Sequence, residues 1–166
     1  MNIYKYLKNK IFLKENLISF LIVIFIFVSD RASKINIIKL QLNTNGSLFV
    51  NDYLNLDLVW NTGVGFGLLS HNANIYYHVI SLVVFLVIAF VIYLIFKADF
   101  IEKFLYAMIL GGALGNFYDR LIYFAVPDFI DFHINEFHWF TFNIADIFIT
   151  IGIVSIIIKE SILNKR

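Results

Sequence analysis

The chain has 166 residues and a net charge of +1, and 60% of its residues are hydrophobic while only 15% are charged. About half of the residues of a soluble domain are apolar, and the excess here is collected in long blocks, so the composition indicates a membrane protein. The absence of cysteine excludes disulfides, thiol catalysis and thiolate metal ligands. There is no basic stripe, so the charge gives no indication of a nucleic-acid partner.

Four apolar segments are long enough to be transmembrane helices. We predict spans over about residues 11–29, 75–96, 101–117 and 140–158 of a single domain that covers residues 1–166. The first segment has an alternative interpretation as a cleavable signal peptide, because lysines precede its apolar run. No A-x-A-like cleavage site follows it, so a retained helix is the preferred interpretation.

The basic residues predict an orientation for these spans. An even number of spans places both termini on one side, and that side, with the link between the second and third spans, holds nine of the 13 basic residues. Because an excess of Lys and Arg marks the cytoplasmic side, both termini are predicted to be cytoplasmic. Residues 30–74 and 118–139 are then predicted to form outer segments.

The first outer segment contains two candidate strands. The stretch LNLDLVWN at Leu54–Asn61 begins with the alternation of a strand, and SLFV at residues 47–50 is a second candidate. A small β element on the outer membrane surface is therefore predicted. The stretch GVGFG lacks the GK[ST] ending of a phosphate loop, and we predict a tight turn in which Gly63 and Gly65 allow positive φ.

Polar side chains lie at the outer ends of the first and third predicted spans. Asp30 and Lys34 are four residues apart, so they share a face of a continuing helix and can form an ion pair. Asn116, Asp119 and Arg120 end the third span at the i, i+3, i+4 spacing of a helix. Each of these residues taken alone is more often a cap or a headgroup contact than a functional group.

The fourth predicted span carries a polar pair inside its apolar run. Asn143 and Asp146 are three residues apart on one helical face, and Asp146 follows Phe140 by six residues. A helix that begins at Phe140 places Asp146 about 9 Å below its start. An acid inside a span costs at least about 2.5 kcal/mol, which makes Asp146 a functional candidate.

The stretch HINEFH, at residues 133–138, raises the question of a zinc site. Its spacing matches neither HExxH nor HxxEH. On a helix, His133 and His138 point about 140° apart. We therefore predict no metal site, and expect the segment to supply an interfacial aromatic belt with Trp139 and Phe140.

Carboxylates are the remaining candidates for catalysis. Two acids held close together cannot both ionise cheaply, so the pair offers an acid and a base at once, and can direct a water at a peptide carbonyl. Asp146 can be paired with Asp128, which lies 18 residues earlier, and the spacing alone leaves Asp119 and Asp131 open as partners. Asp119 is adjacent to Arg120, and we predict that the two form a structural ion pair.

Five stretches that occur in order resemble one known family. They are SDRASK from Ser29, NTGVGFG from Asn61, GGALGNFYDR from Gly111, VPDFIDF from Val126 and FNIAD from Phe142. Together they are similar to the signal peptidase II family of bacterial lipoprotein signal peptidases, over most of the chain from about Asp30 onward.

The resemblance implies an aspartyl endopeptidase that removes signal peptides from diacylglyceryl-modified prolipoproteins, cutting before the lipid-modified cysteine. It implies a mainly α membrane protein with four transmembrane helices, a small extracytoplasmic β cradle and a short outer helix or loop. We expect a multi-pass protein of the bacterial inner (cytoplasmic) membrane, with its active site at the extracytoplasmic face. We expect a monomer in contact with membrane lipid, without cofactor, metal or nucleic acid.

The resemblance also assigns roles to residues of this sequence. Asp128 and Asp146 correspond to the catalytic pair. The residues expected to bind substrate or support the site are Asp30, Lys34, Asn61, Gly63, Asn116, Arg120 and Asn143. Three positions depart from the family pattern, with Arg31 where Gln is common, Gly65 where Ala is frequent, and Pro127 where an aliphatic residue is usual.

Two other functions are compatible with an acid in a span. One is a small ion-coupled membrane transporter that uses Asp146. It would need acids near the midplane of more than one span, and the second span has none. The other is a non-catalytic assembly subunit, which leaves the free-energy cost of Asp146 unexplained.

Overall fold

The computed structural model describes residues 14–44, 47–63 and 73–163. Three predictions fall outside these residues: the first residues of the first span, the turn at Gly65, and five of the basic residues used for orientation. In chain order the elements are α1 (Lys14–Thr44), β1 (Leu48–Asn51), β2 (Leu54–Asn61), α2 (Ala73–Lys97), α3 (Phe100–Tyr123), β3 (Val126–Ile134), β4 (Phe137–Phe142) and α4 (Ile144–Leu163).

The strands form one antiparallel sheet in the order β1-β2-β3-β4. The predicted strand at Leu54–Asn61 is confirmed with its bounds, and the candidate at residues 47–50 lies one residue later. The other half of the sheet comes from residues for which no strand was predicted. No additional helix lies in the described parts of the two outer segments, which leave out residues 45–46 and 64–72.

Two helices continue beyond their predicted ends. α1 runs to Thr44 instead of ending near residue 29, and α3 runs to Tyr123 instead of ending near residue 117. Both spans were predicted to end where the first ionisable residues, Asp30 and Asp119, interrupt the apolar run. These side chains are buried and paired inside the helix bundle, so the helices continue past them. α3 ends at Phe124, which has the left-handed φ of 56° that terminates many helices.

The predicted start of the fourth span is wrong. Residues 137–142 form β4, which pairs with β3, and α4 begins only at Ile144. A short apolar run is equally compatible with a strand and with a buried helix, so its periodicity could not separate them. Asp146 is therefore the third residue of α4, in its first turn, and does not lie 9 Å below the start of the helix.

α3 is the central helix, and it packs against α1, α2 and α4. Its glycines allow α1 and α4 to approach closely. A Cβ atom on Gly115 would lie 2.5 Å from Oδ2 of Asp30 on α1. A Cβ atom on Gly112 would lie 2.5 Å from the carbonyl oxygen of Ala145 on α4. A larger residue at Gly112 would therefore collide with the backbone of α4, and one at Gly115 would collide with the carboxylate of Asp30.

A buried charge cluster, formed by Asp30, Arg31, Lys34 and Asp119, joins α1 to α3. Lys34 Nζ donates to Asp30 Oδ2 at 2.8 Å, which confirms the predicted i, i+4 pair. Nζ also donates to Asp119 Oδ2 at 2.7 Å and to Asn116 Oδ1 at 2.8 Å. Lys34, Asp30 and Asp119 have no exposed surface. Nζ, which has three N–H donors, thus has three acceptors.

The predicted pairing of Asp119 with Arg120 is wrong. Asp119 contacts Arg31 at 2.5 Å as well as Lys34. Arg120 instead donates from Nη1 to the carbonyl oxygen of Asn116 at 3.2 Å. Adjacent helical residues do not share a face, so an i, i+1 pair is not expected to form an ion pair within a helix.

Among the described residues, one helical stretch, Tyr77–Lys97 in α2, is long and apolar enough on its own to cross a bilayer. The other three helices carry ionisable residues within their length. All four nevertheless expose large apolar side chains, for example Phe25 on α1, Phe90 on α2, Phe104 on α3 and Ile157 on α4.

Replacing Lys34 by Met is expected to lower the free energy of unfolding by about 3–5 kcal/mol, because two carboxylates stay buried after their main cation is removed. The measurement is the midpoint of thermal unfolding of the purified protein in detergent. Lys39→Met is the control, since Lys39 is exposed on the same helix and its replacement should change stability by less than about 0.5 kcal/mol. Equal midpoints for the two variants would contradict the role given to the cluster.

Candidate active site

Asp128 and Asp146 are brought to the same region by two different elements. Asp128 lies on β3, opposite Val59 of β2, and is only 3% exposed. Asp146 lies in the first turn of α4. The charge of Asp146 acts on the titration of Asp128, so the two carboxyl groups belong to one electrostatic site.

Asn143 connects the two carboxyl groups. Its Nδ2 donates to Asp128 Oδ1 at 2.6 Å, and its backbone N–H donates to Asp146 Oδ2 at 3.1 Å. Its Oδ1 in turn accepts the backbone N–H of Asp146 at 3.1 Å. The reciprocal bonds between Asn143 and Asp146 form a capping box that starts α4. The residue that begins the helix therefore also positions both acids.

Asn116 connects Asp146 to the buried charge cluster. Its Oδ1 accepts from Lys34 Nζ at 2.8 Å, and its Nδ2 donates to Asp146 Oδ1 at 2.8 Å. An ammonium group can only donate, so the amide oxygen of Asn116 must face Lys34. The NH₂ group is thereby left to face Asp146.

Asn61 holds the second oxygen of Asp128. Its Nδ2 donates to Asp128 Oδ2 at 2.8 Å, while its Oδ1 accepts the backbone N–H of Gly63 at 2.8 Å. Gly63 has φ +77°, as the sequence predicted, and a Cβ atom there would lie 3.1 Å from Ile80 Cδ1. The turn after β2 therefore favours glycine and fixes the amide orientation of Asn61.

The same pattern occurs at all three asparagines. Each has its amide oxygen occupied by a donor and presents its NH₂ group to an aspartate. With the backbone N–H of Asn143, these groups supply one donor to each of the four carboxyl oxygens. Any proton carried by the pair, and any water between the acids, must use the remaining lone pairs.

The environment of Asp128 favours its neutral form. Burial raises the pKa of Asp128, the hydrogen bonds from Asn61 and Asn143 oppose this effect, and the charge of Asp146 raises the pKa further. The result is a pKa of about 6, against 3.8 for an unperturbed aspartate. A carboxyl group that titrates near neutral pH is suited to acid and base catalysis.

The other acids that the spacing left open lie elsewhere. Asp119 belongs to the buried charge cluster, and Asp131 accepts from or donates to His138 Nδ1 at 2.8 Å. Asp30 contributes to the site indirectly, because its Oδ1 accepts the backbone N–H of Ala145 at 3.1 Å and so holds the start of α4. Arg120 lies one turn after Asn116 on α3, and its carbonyl oxygen accepts a hydrogen bond from the hydroxyl group of Tyr77.

Two residues that join the helices around the site were missed or undervalued by sequence reasoning. Arg31 was noted only as a departure from the family pattern, yet it neutralises Asp119. Tyr77 anchors α2 to the end of α3. Neither residue stands in a local pattern that marks its partner, because each partner lies on another helix.

The helical geometry used against a metal site at residues 133–138 is wrong, since His133 and His138 lie opposite each other on two strands and not on a helix.

An apolar groove adjoins Asp146. It has a volume of about 250 Å³, and its walls are formed by Phe140 and Phe142 of β4 and by Ile147, Thr150 and Ile151 of α4. The groove runs from the acid along the side of α4. An extended apolar chain lying in it would pass beside the carboxyl group of Asp146.

Two solved structures that share this fold are described as bacterial membrane enzymes. One is 29% identical with a TM-score of 0.69 and covers 89% of this chain and 91% of that chain. The other is 30% identical with a TM-score of 0.69 and covers 85% and 90%. The fold is thus that of a membrane enzyme, made of a helix bundle with a small antiparallel sheet.

The family is shown by the sequence comparisons. The model of the family described as signal peptidase (SPase) II matches residues 22–162. The lipoprotein signal peptidase of Pelagibacter ubique (strain HTCC1062) is 44% identical over 159 residues, which is 95% of this chain and 96% of that protein. The one from Francisella tularensis subsp. novicida (strain U112) is 40% identical over 93% and 97%. The chain belongs to the signal peptidase II family, a family of aspartic-type peptidases, as the resemblance predicted.

Proposed function

We propose that this peptidase removes the signal peptide from diacylglyceryl-modified prolipoproteins, with Asp128 and Asp146 as the catalytic residues. The observation that carries the assignment is the set of amide donors that holds these two carboxyl groups in one site. The names of the relatives support the substrate class. The family match gives no support to a transporter.

The proposed reaction needs only water and the two acids. Asp146 takes a proton from a water whose oxygen attacks the scissile carbonyl carbon, while Asp128 gives its proton to the carbonyl oxygen. The resulting diol intermediate collapses when Asp146 protonates the leaving nitrogen and the diol returns a proton to Asp128. The pair then again holds one proton, and the products are a carboxylic acid and a free amine.

The assignment of acid and base follows from the two environments. Asp128 is enclosed on a strand, and its pKa of about 6 favours it as the holder of the proton. Asp146 lies in the first turn of α4 and accepts a backbone N–H. Two acids that share one proton leave one of them deprotonated, and with the proton on Asp128 that partner is Asp146. Asp128 is therefore the general acid of the first step and Asp146 the general base.

The apolar groove supports a lipid-linked or apolar substrate. Among the residues that the structure describes, its walls include no charged group other than Asp146. An apolar stretch of signal peptide, or an acyl chain of the modified cysteine, would transfer its surface from water or lipid to these side chains. We propose contact with membrane lipid at the same opening. One chain contains every group used here, so we propose that it acts as a monomer, without cofactor or nucleic acid.

Asp128→Asn and Asp146→Asn are each expected to reduce cleavage of a lipidated precursor by at least about 10²-fold, because neither amide can exchange the shared proton. Purified protein in detergent is assayed with a diacylglyceryl-modified precursor and with its unmodified form. Asp52→Asn, an exposed acid between β1 and β2, should retain full activity. Retention of cleavage in either site variant would refute the pair, and equal cleavage of both precursors would refute the substrate class.

The value of kcat/KM should fall as the pH rises through about 6, because the free enzyme then loses the proton of Asp128. Asn61→Ala removes a donor that stabilises the charged form, so the alkaline limb should move to higher pH. Asn51→Ala, on the exposed β1, is the matched control and should leave the profile in place. An alkaline limb that does not move in Asn61→Ala would exclude Asp128 as the group that titrates.

We propose that all four helices cross the membrane with both termini in the cytoplasm of a bacterial cell. The shortest, α4, has 20 residues and is about 30 Å long, which matches the hydrocarbon core. The sheet and Asp128 lie at the connections from α1 to α2 and from α3 to α4, at one end of the bundle. The basic residues Lys14, Lys97 and Lys159 lie toward the other end, which supports its cytoplasmic placement.

The orientation can be tested with single cysteines, because the chain has none of its own. Asp52→Cys, in the β1–β2 turn, should react with a membrane-impermeant maleimide in intact spheroplasts. Ala98→Cys, in the link between α2 and α3, should react only after permeabilisation. Reaction of both before permeabilisation, or the reverse order, would contradict the proposed topology.

A further inference from the structure

The β3–β4 hairpin brings together three metal-ligating side chains that the catalytic proposal does not use. Asp131 and His133 lie on β3, and His138 lies directly opposite His133 on β4. One ligand atom from each of the three lies within 4.8 Å of the others. Two imidazoles and one carboxylate are a donor set that zinc and similar transition metals prefer.

The cluster is separate from the aspartate pair because of the strand geometry. The pairing of β3 with β2 and its pairing with β4 each contain one irregularity. In both cases the extra residue belongs to the neighbouring strand, so the side chains of β3 alternate between its two faces without interruption. Asp131 and His133 are therefore on one face of the strand, and Asp128, three residues before Asp131, is on the other. A cation at the cluster would not contact the catalytic oxygens.

His133 is the observation that points to a ligand. The residue is 9% exposed, and its Nδ1 is buried without a hydrogen-bond partner. That atom lies 3.9 Å from Asp131 Oδ2, which is too far for a hydrogen bond but is a short distance for two ligands of one metal ion to close. The ordinary alternative, a carboxylate–histidine hydrogen bond, accounts for His138 at 2.8 Å and leaves His133 unexplained.

The two rings are arranged so that one cation could reach both. They are stacked with centroids 5.1 Å apart and planes at 22°. His138 Nδ1 already lies 2.8 Å from Asp131 Oδ2, so metal bonds of about 2.0–2.2 Å require this pair and His133 Nδ1, which is 3.9 Å from the same oxygen, to approach each other. His138 can make this movement, since its side chain is 55% exposed and lies at the end of the hairpin.

We propose that Asp131, His133 and His138 form a binding site for a divalent transition metal of the zinc class. Three protein ligands leave a position for water. Magnesium and calcium are disfavoured, because they select oxygen ligands. The bound ion links β3 to β4 and so stabilises the strand that carries Asp128. It takes no part in peptide cleavage, which therefore continues in the presence of a chelator.

The test uses tag-free, full-length protein in detergent, titrated with ZnCl₂ while thermal unfolding is followed. Zinc should raise the unfolding midpoint of the native protein in a concentration-dependent manner. His133→Ala and His138→Ala should weaken zinc binding roughly tenfold or more, since even the loss of an outer partner typically weakens it 10–100-fold. His78→Ala, an exposed histidine on α2, is the matched control and should respond as the native protein does.

Absorption of bound Co²⁺ gives a second readout that does not depend on folding stability. A spectrum typical of nitrogen ligation should appear in the native protein and in His78→Ala and be lost in His138→Ala. Equal zinc responses in all variants, or no response at millimolar zinc, would overturn the site. Loss of cleavage on chelation would overturn the separation of the metal from catalysis.

Discussion

The ammonium group of Lys34 is the constraint on which the arrangement of the helices and of the site depends. It can only donate hydrogen bonds, and with no exposed surface it requires protein acceptors for its three N–H groups. α1 supplies one of these acceptors, Asp30, while Asp119 and Asn116 of α3 supply the others. The amide of Asn116 can then present only its NH₂ group to Asp146 on α4. A charge on the first helix thus determines how a carboxylate on the last one is held.

Removing one charge from the buried charge cluster is costly, but stability alone does not account for the presence of the complete cluster. Its two acids and two bases balance in charge, and burying such a set is often no better for stability than packing apolar residues of similar volume. Apolar packing, however, cannot select between the two orientations of an amide. We attribute the retention of these charges to that selection. The same rule holds at Asn61 and Asn143, where backbone N–H groups occupy the amide oxygens.

Sequence patterns predicted features that depend on neighbouring residues, but they did not predict pairings between residues far apart in the chain. The bounds of β2 and the Asp30–Lys34 pair follow from periods of two and four residues, and the structure has both. Residues 137–142 were assigned to a span because hydropathy does not distinguish an apolar strand from a helix, and their partner β3 is defined only by the fold. The capping pattern from Asn143 to Asp146 was the local signal for the true start of α4. The motifs named asparagines that the structure brings against Asp128 and Asp146, but they did not predict that Asp119 would pair across helices.

The corrected boundary changes the surroundings of the Asp146 carboxyl group. Deep in a span, its charge would have been opposed by lipid. In the first turn of α4, it accepts two N–H groups and completes a cap. The β3–β4 hairpin also explains how the side chain of Asp128 is oriented. A loop before a longer helix would leave its direction undefined, whereas a strand between β2 and β4 fixes it by alternation. That alternation also directs Asp131 and His133 to the opposite face. A single strand can therefore hold the proposed catalytic acid on one face and the proposed metal ligands on the other.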